Sequence, residues 1–153
     1  MAKTEFEFIN TDVLLSAYDL SASDQAKDLV IRLWNQRTGC LSVPVLQKFY
    51  LAITSEVTNP IQPEAAMSIV ADYAVWKVYS PSAADIIEAA GIQEQYHVDL
   101  EQAILLLSAE KMKCSVIWTE EFTLKKYKDI SIKSIKGEIK HTLISKEERE
   151  RDQ

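Results

Sequence analysis

The feature that most constrains this chain is its opening, Phe6-Glu7-Phe8-Ile9-Asn10-Thr11-Asp12-Val13-Leu14-Leu15-Ser16-Ala17-Tyr18-Asp19. Phe6, Phe8 and Ile9 suit a buried strand. Val13, Leu14, Ala17 and Tyr18 fall at helical spacing. Between them stands a polar triplet, Asn10-Thr11-Asp12. A strand that turns directly into a helix places the triplet at the strand's carboxyl end. In open α/β sheets that end is where ligands bind.

The rest of the chain repeats the alternation. Ser21 and Ser23 offer caps for a helix over 23–37, with Ala26, Leu29, Val30, Leu33 and Trp34 on one stripe. Gly39 suits its stop, and Cys40-Leu41-Ser42 suits a strand. Ser42 then caps a helix with Pro44 in its first turn, and Asn59-Pro60 ends it. Gln62-Pro63 opens another helix, and Val75–Tyr79 reads as a strand. Ser80-Pro81 starts a helix carrying Ala84, Ile87 and Ala90, with Gly91 as its end. Asp99 opens a helix running to about Met112. Cys114–Trp118 is a strand, and Ile130–Ile135 alternates as a last one. Strands alternating with helices predict an α/β fold, a three-layer α/β/α sandwich around a mostly parallel sheet of four or five strands. Residues 1–136 form one domain on this reading, and 137–153 a charged tail.

Several function classes drop out. Three glycines leave no glycine-rich phosphate loop. No run of about 18 apolar residues occurs, so no membrane span is expected. The first residues lack an apolar signal segment. Two distant cysteines, Cys40 and Cys114, argue against a disulfide framework and suit a cytoplasmic protein. His97 and His141 lack zinc-ligand spacing. The net charge is −6, unevenly spread: residues 1–110 carry 6 basic and 15 acidic side chains, a balance of −9, while 111–140 carry 8 and 4, a balance of +4. The lysines of the second stretch either form a solvated surface or a face for phosphate.

Four segments, taken together, resemble the PIN domain of VapC-type toxin ribonucleases. They are the opening itself, Leu41–Tyr50, Tyr96–Leu105 and Cys114–Glu121. The resemblance implies a site where four carboxylates, one from each segment, hold Mg²⁺ or Mn²⁺ and activate water against a phosphodiester. Carried over position by position, the four acids fall on Asn10, Lys48, Gln102 and Glu121. The family set sums to −4 and this one to 0. An ammonium about 5 Å from a dication is repelled by on the order of 6 kcal/mol at an effective dielectric near 20. Lys48 is therefore expected to take the cation's place and pair with Glu121 or Asp12, with no metal cofactor held.

Two functions remain open on these residues. One is a binding module without a metal centre, taking an antitoxin-like protein or RNA, with Lys48, Lys125, Lys126 and Lys128 as phosphate contacts and a homodimer as its assembly. The other is an active Mg²⁺- or Mn²⁺-dependent endoribonuclease of a toxin–antitoxin pair, rebuilt from Asp12, Asp99 and Glu121. Asp99 and Gln102 also spell a helix capping box, and Asp12 a helix cap. Tyr18, Tyr50 and Tyr96 are expected near the mouth of the site, where they either pack or stack on bases.

Overall fold

The computed structural model describes residues 4–19 and 24–136. The caps expected at Ser21 and Ser23, the tail 137–153 and His141 lie outside the described residues. A parallel sheet is built from β1 (Phe6–Ile9), β2 (Gly39–Ser42), β3 (Lys77–Tyr79), β4 (Cys114–Trp118) and β6 (Ile130–Lys133). A short β5 (Lys126–Tyr127) runs antiparallel to β6. The order across the sheet is β3-β2-β1-β4-β6-β5, six strands where the sequence suggested four or five. Six α-helices connect and cover it: α1 (Thr11–Tyr18), α2 (Asp24–Gln36), α3 (Val43–Leu51), α4 (Pro63–Tyr73), α5 (Ala83–Tyr96) and α6 (Leu100–Lys111). This is a three-layer α/β/α fold. None of these helices is long and apolar enough to cross a membrane.

Local chemistry sets most element ends. Asn10, in extended backbone, caps α1 by accepting from the Thr11 amide at 2.8 Å. Ser42 caps α3, and Pro44 sits in its first turn. Beyond Leu51 the coil widens into a π turn over Ala52–Glu56. There the Thr54 and Ser55 hydroxyls donate to the carbonyls of Tyr50 and Leu51 at 2.8 and 2.6 Å, drawing those acceptors out of the regular ladder.

Helix α5 departs from the expectation twice. It runs through Gly91 and ends at His97, which takes the left-handed conformation (φ 56°). A helix stop needs a left-handed residue rather than a glycine as such, and here the histidine adopts it. Ala84, Ile87 and Ala90 also do not face the core: Ile87 is 76% exposed, and Asp85, Ala89 and Ile92 are the buried positions. The last strand stops at Lys133 rather than Ile135.

Candidate functional site

The strand order reverses between β1 and β4, so the chain leaves their carboxyl ends in opposite directions and opens a cleft. The cleft encloses about 70 Å³. Asn10, Lys48, Gln102 and Glu121 all line it, over an apolar floor of Val45, Ile104 and Leu105. Asn10 follows β1, Glu121 follows β4, Lys48 projects from α3, and Gln102 lies in the first turn of α6.

Each polar group there already has a partner. Asn10 is buried; besides capping α1 it donates through Nδ2 to Thr119 Oγ1 at 3.1 Å and to Glu121 Oε2 at 3.4 Å. Gln102 belongs to a capping box: its amide N–H donates to Asp99 Oδ1 at 2.7 Å, and its Oε1 accepts from the Asp99 amide at 3.1 Å. Its Nε2 donates to the Glu121 carbonyl at 3.4 Å. Lys48 pairs with neither Glu121 nor Asp12. Its Nζ donates to Glu101 Oε2 at 2.9 Å. Glu101 lies beside Gln102 at the start of α6, so the lysine reaches it across the mouth of the cleft. That bond holds the Lys48 ammonium above its usual pKa, with the charges of Glu101, Glu121 and Asp99 adding to it.

The acids considered for a rebuilt centre do not converge. Asp12 does not line the cleft. Its Oδ2 accepts from the Glu120 amide at 2.6 Å and from Thr119 Oγ1 at 3.2 Å, and its Oδ1 from the Val13 amide at 2.9 Å. It ties the start of α1 to the segment after β4. Burial raises its pKa above the usual value and the Glu121 charge adds to this; the amides of Glu120 and Val13 and the Thr119 hydroxyl oppose it. Asp99 is the N-cap of α6. Glu120 is used in a similar way, taking the Ser134 hydroxyl and the Ile135 amide (2.8 Å) where the chain leaves β6. Among the described residues no group of three or more His, Cys, Asp or Glu side chains is disposed to hold a metal ion. Of the four positions that the resemblance gives to carboxylates, Asn10 and Gln102 are neutral, Lys48 is cationic and paired with Glu101, and Glu121 alone is an acid, so these four side chains bring little negative charge to a hard dication.

The remaining candidates lie elsewhere. Lys125, Lys126 and Lys128 line no part of the cleft. Lys128 donates to Glu110 at 2.6 Å, and Lys126 lies on the outermost strand. None of Tyr18, Tyr50 and Tyr96 lines the cleft: Tyr18 packs edge-on to Phe49 and Tyr96 to Tyr127. Cys40 and Cys114 are free and buried. Sequence reasoning missed a polar cluster on the sheet. Glu7 accepts two hydrogen bonds from Arg32 (2.7 and 3.0 Å) and one from the Trp118 indole (2.9 Å). Its members are 25 and 111 residues apart, so no local pattern announces it.

No protein-family model matches the sequence, and no curated protein does. Solved structures do match. VapC20 of Mycobacterium tuberculosis, described as a toxin cleaving the sarcin–ricin loop, is 15% identical at a TM-score of 0.61, covering 82% of this chain and 98% of that one. FitAcB from Neisseria gonorrhoeae is 9% identical at a TM-score of 0.63, over 83% and 96% of the two chains. VapBC2 from Rickettsia felis, bound to a fragment of its promoter DNA, is 14% identical at a TM-score of 0.62, over 84% and 98%. The chain has the fold of VapC-like PIN domains.

Proposed function

We propose that this VapC-like PIN domain is a binding module whose cleft works without a divalent cation, and that its partner is an antitoxin-like polypeptide. The observation that carries the reading is the Lys48–Glu101 ion pair across the mouth of a cleft whose remaining lining carries a single carboxylate, Glu121, among amides, hydroxyls and apolar side chains. A bound dication there would stand beside an ammonium, with Glu121 as the one lining carboxylate not already paired to that ammonium. The similar folds occur in toxin–antitoxin complexes, which supports a polypeptide partner. RNA is the weaker ligand on this reading, since the lining of the cleft sets two carboxylates, Glu101 and Glu121, beside its cation Lys48.

Calorimetry with Mg²⁺ and with Mn²⁺ is the direct test, run beside a cleavage assay on a broad RNA panel containing Mn²⁺. The expected results are no saturable heat at micromolar metal and no cleavage. Micromolar metal affinity, or cleavage lost in both Asp12→Asn and Asp99→Asn variants that remain folded, would replace this reading with the nuclease.

Two further parts of the reading follow. Met67, Ile86 and Ile87 are 62%, 47% and 76% exposed on α4 and α5. The adjacent exposed pair Ile86 and Ile87 on α5 supports a homodimer. Sedimentation velocity should then show a dimer that Ile87→Glu dissociates; a monomeric parent protein would remove the claim. The two free thiols support a reducing compartment, and hence the cytoplasm.

A further inference from the structure

A second concavity lies at the other end of the sheet from the cleft. It is a groove of about 620 Å³, lined in part by Trp34, Arg37, Gly39, Val75, Trp76 and Lys77. Gly39 and Lys77 begin β2 and β3, whereas the cleft opens where β2 ends at Ser42. Each strand residue advances the chain by about 3.3 Å, so one strand's length separates the two places.

The groove has a rigid aromatic wall. A Cβ on Gly39 would stand 2.3 Å from Cζ3 of Trp76, so the indole rests directly against the glycine backbone. Trp34 and Tyr73 meet Trp76 edge-on, with ring centroids 5.6 and 5.4 Å away. Trp34 nevertheless stays 40% exposed, and Val75 76%. An indole held by two neighbouring rings and still 40% exposed offers a stacking surface.

The groove is also cationic where the surrounding chain is acidic. Residues 1–110 carry only 6 basic side chains against 15 acidic ones. Two of the six, Arg37 and Lys77, line this groove, and no carboxylate does. By contrast Arg32 pairs with Glu7 and Lys48 with Glu101. Lys77 lies 4.1 Å from the centroid of the Phe6 ring, an interaction that leaves its charge uncompensated.

We infer that this groove binds a nucleotide unit of single-stranded nucleic acid, its base stacked on Trp34 and its phosphates met by Arg37 and Lys77. The volume falls in the range that accommodates a ligand of that size. An acidic peptide would satisfy the two cations and leave the open indole in water; a nucleotide covers both. The inference is independent of the cleft, because neither Trp34 nor the two cations lines it.

The test is a titration of the full chain with a labelled uridine hexamer, read by anisotropy, and with the unlabelled hexamer, read by tryptophan quenching. Binding should quench fluorescence. With two phosphates neutralised, affinity should fall about sevenfold from 50 to 200 mM salt. Arg37→Glu with Lys77→Glu should weaken binding at least tenfold, and Trp34→Ala by a factor between about 5 and 150, the worth of one stacked base. Trp34 packs on Tyr73 and Trp76, so circular dichroism must show that variant folded; the charge variants sit at the surface and carry the test if it is not. No hexamer binding, affinity indifferent to Arg37 and Lys77, or tighter binding of an oligoglutamate peptide would overturn the inference. Uridine monophosphate binding as tightly as the hexamer would overturn the strand as ligand.

Discussion

Asp12→Asn separates a structural carboxylate from a chemical one. The side chain accepts from two backbone amides, Val13 at 2.9 Å and Glu120 at 2.6 Å, and from the Thr119 hydroxyl at 3.2 Å. An asparagine has the same shape but only one acceptor oxygen. Whichever way its amide turns, an NH₂ group faces one of the two backbone N–H groups. One partly buried donor is then left without an acceptor, which costs about 1–3 kcal/mol. Part of this is offset, because the burial that raises the Asp12 pKa penalises the charged form that asparagine removes. The net expectation is a loss of about 1–2 kcal/mol at pH 7. For a chain of this size each kcal/mol lowers Tm by about 2–4 °C. Thermal and urea denaturation of parent and variant measure it. The nuclease reading expects the reverse: acids gathered for a metal repel one another without it, so neutralising one should stabilise the apo protein. A variant as stable as its parent, or more so, refutes the strut described here.

Gly39→Ala would place a Cβ 2.3 Å from the Trp76 ring, and overpacking of this kind costs about 1–3 kcal/mol; an unchanged urea midpoint would contradict the close packing. The Tyr79 hydroxyl donates to Asp85 at 2.6 Å, and that bond, helped by burial, raises its pKa from 10.0 to about 12. The folded state therefore holds this proton more tightly than the unfolded one. The stability it contributes is full below pH 10 and lost as pH rises towards 12, so Tyr79→Phe should flatten the fall in urea stability between pH 9 and 11.5; an identical slope counts against the bond. Burial acts to raise the Glu7 pKa, but the hydrogen bonds from Arg32 and Trp118 bring it below 4.5. Its stabilisation is present above 4.5 and lost as pH falls through the lowered value. Arg32→Met should cost about 1–3 kcal/mol at pH 7 and weaken that acid-side loss, both read from urea curves at pH 3 to 7.

What the sequence announced was whatever one segment can settle alone. The turn from β1 into α1, the Ser42 cap with Pro44 behind it and the Asp99–Gln102 capping box are all short-range chemistry, and each stands in the structure. What it concealed depends on segments meeting. Lys48 had acids within reach on two elements, and only packing of α3 against the start of α6 selects Glu101. Asn10 rather than Asp12 caps α1, because the helix begins at Thr11, two residues earlier than a cap at Asp12 requires. The β5–β6 hairpin turns through Lys128, with φ 51°, and Asp129. No glycine or asparagine marks that turn, the usual signal for one. Gly91 misled for the complementary reason: it has nothing within 4 Å of its missing Cβ and simply continues α5.

These placements bear on what the cleft can receive. Asn10 holds the end of β1 to Thr119, Gln102 and Asp99 close the first turn of α6, and Asp12 ties α1 to the chain beyond β4. Every one of these groups would have to abandon a structural bond to ligate an incoming charge. The Lys48–Glu101 pair is the exception. Both side chains are largely exposed (48% and 71%), so opening it costs no more than about 1 kcal/mol. A partner that brings a carboxylate to Lys48, or a cation to Glu101, could take one half of the pair while seating an apolar side chain over Val45, Ile104 and Leu105. That order of costs, cheap at the rim and expensive within, is what the binding-module proposal requires, with a polypeptide that carries a charged residue beside an aliphatic one as the ligand that meets it.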